Sequence, residues 1–192
     1  MAKTSVINVD IQGVDNRQRI LEAALEVIRT KGVDGLTHRA IAAQAGVSLG
    51  LTTYYFKDLE EIIEESFDLA MKRDTDFLLG WYQNLQKGAD VPEELTRLVF
   101  SYLETQSENV YVYFVLVLAA VHRKQLQKKA NEWASFMTNL FAQNFSAEAA
   151  IAIATIYDGT LLRQAITGNV GTHNEIKEGF ERACGEEKYL KS

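Results

Sequence analysis

A single proline in 192 residues constrains this chain most. Proline breaks helix interiors, so a chain whose one proline is Pro92 can run in long helices. The glycines fall mostly between stretches whose apolar residues recur at three- and four-residue spacing. Strand-type alternation is scarce beyond residue 14. These patterns predict an all-α fold of about nine helices, a small N-terminal head on a larger body.

Residues 1–14, with Val6, Ile7, Val9 and Ile11, read as a mobile arm. A first helix is expected from Asn16 to about Lys31, with Asp15 as its cap and Gln18 as the capping partner. Ile20, Leu21, Ala24, Leu25 and Ile28 form its buried stripe. Thr37 caps a second helix, His38 to Ala45, and Gly46 supplies the turn. Ser48 caps a third, short helix running to Tyr55, which completes a helix-turn-helix. Asp58 and Glu61 open a long helix to about Gln86, with Glu60, Glu61, Glu64 and Glu65 as a solvated face. Pro92 suits a first helical turn. Further helices are expected over 92–107, 109–122, 124–144, 146–167 and 173–184. The chain thus divides into a head and arm, 1–57, and a body, 58–192.

Composition narrows the function. With 47% hydrophobic and 24% charged residues the chain is an ordinary globular sequence. The longest apolar run, Val110 to Val121, includes two tyrosines and is too short to span a bilayer. Polar residues at Thr4, Ser5, Asn8 and Asp10 interrupt any secretory signal, and Cys184 is the one cysteine. A cytoplasmic protein is expected, with no membrane partner. The net charge is −6, but residues 1–57 hold seven Lys/Arg against five Asp/Glu, and the rest carries −8. A mildly basic head on an acidic body permits nucleic-acid contact at one end. His38, His122, His173 and Cys184 show no metal-ligand spacing, and no nucleophile elbow or phosphate loop is present. No enzyme, metal or cofactor is expected.

The stretch IAAQAGVS followed by YYFKDLEEI resembles the N-terminal domain of the TetR family of bacterial repressors. The matching residues are Gly32, Thr37, Arg39, Ile41, Ala42, Ala45, Gly46, Val47, Ser48, Gly50, Tyr55, Phe56 and Lys57, followed by Glu60, Glu61 and Ile62. The resemblance implies a helix-turn-helix that binds an operator, joined to a body that binds a small effector. Physically, the helix N-termini at Thr37 and Ser48 can face phosphates. Arg39, Tyr55 and Lys57 can add donors to the DNA backbone. Leu49, Gly50, Leu51, Thr53 and Tyr54 are the candidates for the reading face, with Thr52 turned inward.

Two departures stand out. Many members carry Lys at the position of Leu49, and Leu-Tyr at Thr52 and Thr53; Leu59 replaces a phosphate-binding Lys. Ser48 to Tyr55 therefore contains no charge, which favours contacts with thymine methyls and a modest salt dependence.

In the body, Phe77, Trp81, Phe100, Tyr113, Phe114, Trp133, Met137 and Tyr157 are either core or the lining of an effector pocket, with Gln106, His122 and Asp158 as orienting polar groups. An aromatic set of this kind suits an apolar or a cationic effector. The helix over 146–167 carries small residues at Ala147, Ala150, Ala154 and Gly159. The resemblance implies that it pairs with 173–184 against the same helices of a second copy. That makes a homodimer on a palindromic operator, repressing until effector binds. The rival reading is a helical ligand-binding or scaffold protein without specific DNA binding.

Overall fold

A computed structural model describes residues 4–186. The fold is all-α: eight α-helices among the described residues, with two single 3₁₀ turns. The head comprises α1 (Thr4–Lys31), α2 (His38–Ala45) and α3 (Leu49–Tyr55). The body comprises α4 (Leu59–Gln83), α5 (Val91–Ala119), α6 (Lys124–Ala142), α7 (Ala147–Thr167) and α8 (His173–Cys184).

One expectation is corrected and a second is sharpened. The first helix starts at Thr4, so Asp15 lies inside it and is not a cap, and the arm reading fails for residues 4–14. The rest of that arm, residues 1–3, lies outside the described residues. Once Asn16 to Lys31 is helical, each residue added in front gains a hydrogen bond without a new nucleation cost, and no proline stops it. The expected segments 92–107 and 109–122 lie on either side of a kink in α5, where Gln106 leaves helical geometry (φ −130°, ψ 21°), and they run on from one another without a loop. With neither proline nor glycine between Glu93 and Val121, nothing ends the helix at the kink. Pro92 sits in the first turn of α5, as expected.

One continuous core runs from head to body. Ile20, Ala24 and Ile28 of α1 meet Leu36 and Ile41, and Phe56 and Ile62 close the head against α4. Further along, Leu95 and Val99 of α5, Leu126 and Phe141 of α6, Ile153 and Tyr157 of α7, and Phe180 of α8 fill the body. α1 packs on α4 and α5 as well as on α2, so the head is seated on the body rather than tethered to it. α4 is the element that continues from head to body.

Candidate nucleic-acid interface and effector cleft

The head is built by side-chain caps. Thr37 Oγ1 accepts the Ala40 N–H at 3.0 Å and starts α2. Gly46 ends α2 in the left-handed region (φ 65°), where an L side chain would be strained. The Val47 N–H then reaches back to the Ala42 carbonyl at 3.0 Å. Ser48 Oγ accepts the Leu51 N–H at 3.2 Å and starts α3. Thr52 is fully buried and its hydroxyl donates to the Leu49 carbonyl, the inward role expected of it.

This packing turns the other face of α3 outward. Leu49 is 51% and Tyr54 79% exposed, with Gly50 and Thr53 also exposed and Leu51 and Tyr55 half-buried. Large apolar side chains left this open on a short helix are a surface for a partner. Arg39 and Lys57 flank it, exposed and without an acidic partner among the described residues. His38 is half-buried, and its Nδ1 is enclosed without a hydrogen bond.

Three of the seven basic residues of the head are engaged internally. Arg17 donates to the Tyr55 carbonyl at 2.7 Å, pairs with Glu65 and with Glu61, and lies over the Phe56 ring at 4.4 Å. Arg19 donates to the Ala45 carbonyl at 3.0 Å. Two arginines of α1 thus cap the C-termini of both helix-turn-helix helices, where the macrodipole favours a cation. Arg29 is held by Glu26. Glu61 also accepts the Lys57 N–H at 2.7 Å while its own N–H caps on Asp58. Glu61 and Glu65 are therefore structural, not the solvated face expected of them.

In the body, one enclosed cleft gathers side chains from four helices. Asp74 and Leu78 come from α4, Tyr102 and Tyr113 from α5, Trp133 from α6, and Tyr157, Asp158 and Leu161 from α7. Tyr102 donates to Asp74 Oδ1 at 2.6 Å. Trp133 Nε1 donates to the Tyr113 hydroxyl at 3.1 Å, which in turn lies 3.5 Å from Asp158 Oδ1. The open space is about 10 Å³, the room of a single water.

Burial dominates the electrostatics here. It pushes the Asp74 carboxyl up to about 7, and nearby Asp158 adds to the rise against the opposing Tyr102 hydrogen bond. Burial likewise pushes Asp158 up to about 6. The hydroxyls of Tyr102, Tyr113 and Tyr157 are all raised by burial, so they stay neutral donors.

Of the effector residues expected from sequence, the structure brings Tyr113, Trp133, Tyr157 and Asp158 together. Phe114 stacks edge-on behind Tyr113 at 4.6 Å, and Met137 is core. Phe77 and Trp81 line a separate, solvent-open groove of about 510 Å³ between α4 and α5. Phe100 stacks on His173, Gln106 marks the kink of α5, and His122 is exposed in a 3₁₀ turn; none of these three reaches the cleft. Sequence reading missed Asp74 and Tyr102. The signal was available: Asp74 interrupts the α4 stripe of Ile63, Phe67, Met71 and Leu78, where an acid has no reason to be unless it serves a site.

A three-helix head with an exposed short helix, joined by one long helix to a body enclosing a polar-aromatic cleft, is the architecture of a DNA-binding regulator with a sensor domain. Residues 20–66 match the family described as "Bacterial regulatory proteins, tetR family". Nearly the whole chain is similar to the multidrug binding protein EbrR, solved in complex with imidazole (31% identity, TM-score 0.77, covering 87% of this chain and 93% of that one). EbrR has also been solved with ethidium, malachite green and proflavin. A TetR-family member from Streptomyces coelicolor A3 is 30% identical over 88% of this chain and 97% of its own, with TM-score 0.78. The HTH-type transcriptional regulator BetI of Escherichia coli K12 is 24% identical, covering 79% of this chain and 83% of its own length. The chain belongs to the TetR family and is a ligand-responsive, DNA-binding transcriptional regulator.

Proposed function

We propose that the chain is a homodimeric repressor that leaves its operator when a small aromatic cation opens the body cleft. The head, 1–57, grips DNA and the body, 58–192, senses ligand and dimerises. Leu49, Gly50, Leu51, Thr53 and Tyr54 face bases, while Thr37, Arg39, Ser48, Tyr55 and Lys57 position the head on phosphate.

The observation that carries this reading is the placement of α4. Its first two turns hold Glu61 and Glu65, which grip Arg17 and, through it, the end of α3. Asp74 and Leu78, further along the same helix, wall the cleft. From Glu65 to Asp74 the helix rises only about 14 Å. A cleft with room for one water admits no ligand until a wall moves, and α4 is one of the walls. A ligand that fits only the opened state shifts the population toward it.

Two carboxylates among three tyrosines and a tryptophan favour a cation over a purely apolar effector. Ethidium, malachite green and proflavin, found on EbrR, are aromatic cations. The outer face of α7 supports dimerisation: Ile151 is 56% and Ile166 73% exposed, with Thr155 and Gly159 open between them. Pairing α7 and α8 with a second copy would cover that stripe and set two α3 helices about 34–36 Å apart, the spacing of a palindromic site. No described helix is long and apolar enough to cross a membrane.

The test is fluorescence anisotropy on DNA from upstream of the protein's own gene. Added tetraphenylphosphonium, an aromatic cation that does not intercalate, should release the DNA where triphenylphosphine oxide does not. Specific binding unaffected by any such cation would remove the sensor half of the proposal. No binding to any fragment at low salt would favour the scaffold reading.

A further inference from the structure

Resting on the cation reading of the cleft, we infer that Asp74 and Asp158 form a cation–proton exchange site, in which the effector's positive charge takes the place of a proton held by the carboxylate pair. Neutral groups face the pair. From α5 come the neutral hydroxyls of Tyr102 and Tyr113; from α7, Tyr157; from α6, only the Trp133 indole. The nearest cation is Arg73 on α4 itself, and its guanidinium is engaged by Glu22 of α1. Among the described residues the pair therefore has no dedicated cationic partner in the cleft.

Asp74 is 5% exposed and sits in a space that holds one water at most. Two ionised carboxylates in such a site, without a counter-charge, repel one another and lose their hydration. The resting pair meets this by keeping a proton, and burial raises both groups into the range where it does so near neutral pH. Asp158 adds to the rise at Asp74, so the titrations of the two carboxyls are linked. When a monocation enters an acid-loaded cleft, one O–H bond breaks, the proton leaves to solvent and the charge of the site is unchanged. The exchange makes the site selective. A neutral aromatic of the same shape displaces no proton and leaves the carboxylates unsatisfied.

A carboxyl whose folded value is raised favours the native state most when protonated. Its contribution is present below the ordinary value near 3.8 and is lost as pH climbs toward about 7. Asp74→Asn should therefore raise the melting temperature relative to the parent progressively from pH 4 to pH 7, and by a constant amount above.

The experiment uses the full-length, DNA-free protein in two arms. In the first, melting temperature is followed against pH for the parent, Asp74→Asn and Asp158→Asn; a pH-independent difference between parent and both variants shows that the pair holds no proton and overturns the proposal. In the second, ethidium binding is followed by fluorescence and calorimetry in phosphate and Tris buffers. Ethidium should bind about tenfold more weakly per pH unit below pH 6, level off above pH 7.5, and release close to one proton near pH 6. The double Asn variant should lose the pH dependence along with most of the affinity. An affinity constant within twofold from pH 5.5 to 8, with heats independent of buffer, overturns the exchange while leaving cation binding intact. Failure of ethidium to bind at any pH, with the melting arm as expected, instead removes the cation reading and the exchange with it.

Discussion

The first two turns of α4 and the buried face further along it hold their carboxylates in opposite ways. At the head, Glu61 and Glu65 are partly open to solvent and fully engaged: with Arg17, with the Lys57 N–H, and through Arg17 with the last carbonyl of α3. In the body, Asp74 is buried and, among the described residues, hydrogen-bonded only by a tyrosine hydroxyl. The first stretch is over-determined, since several contacts fix the same helix junction. The second is under-determined, because a buried acid without a counter-charge is better satisfied by something absent from the chain. A regulator needs both. A head that deformed easily could not transmit a shift, and a cleft that was already satisfied would not respond to a ligand.

The largest effect is expected where the over-determined stretch has its keystone. Phe56 is fully buried beneath the Arg17 guanidinium, between α3 and α4. Phe56→Ala should destabilise the protein by about 3–5 kcal/mol in urea denaturation, through lost burial and the cavity left behind. The same experiment on Asp74→Asn should show no such loss at pH 8. If Phe56→Ala cost less than about 1 kcal/mol, the head junction would be far looser than its contacts indicate and the comparison would fail.

Arg17→Ala sharpens the point. Its ion pairs are about one-third exposed and, taken alone, contribute little. The charged hydrogen bond to the Tyr55 carbonyl and the stacking on Phe56 should carry most of the loss, about 1.5–2.5 kcal/mol. Operator affinity should fall as well, although Arg17 is turned toward the protein. Substitution with Lys should recover little, since one ammonium cannot serve the carbonyl, the carboxylates and the ring together. A full rescue by Lys would show that charge alone matters there.

The head was largely legible in the sequence because its logic is local. Thr37, Gly46, Ser48 and Asp58 are caps and turns whose partners lie three or four residues away, and the periodicity that buries Ile41 and Thr52 is short-range. What escaped was non-local. Arg17 and Arg19 look like charge available for phosphate until the fold brings them to carbonyls 38 and 26 residues distant. The cleft escaped in the same way: Asp74 and Asp158 are far apart in the chain, and only the packing of α4 on its neighbours makes them one site. Aromatic residues were too numerous for composition to separate Trp133 in the cleft from Trp81 in the open groove. The break in α5 was legible to within two residues, although Gln106 brings neither proline nor glycine to mark it.

The smallest structural effect with a clear functional one belongs to Lys57. Its backbone N–H is bound to Glu61, but its side chain is exposed and has no acidic partner among the described residues, as is true of Arg39. Lys57→Ala should leave stability within about 0.5 kcal/mol of the parent, as an exposed side chain without contacts does. If it positions the head on phosphate, operator affinity should weaken by a similar factor for matched and mismatched sites, and the slope of log K against log salt should fall by about one. Arg17→Ala should behave differently. Its loss acts through the seating of α3, so affinity should fall with little change in salt slope. Measuring both slopes therefore separates charge that touches DNA from charge that holds the reader in place. Equal slope changes in the two variants would mean that the internal bonds of Arg17 give way on the operator, and that the head is less rigid than its apo packing implies.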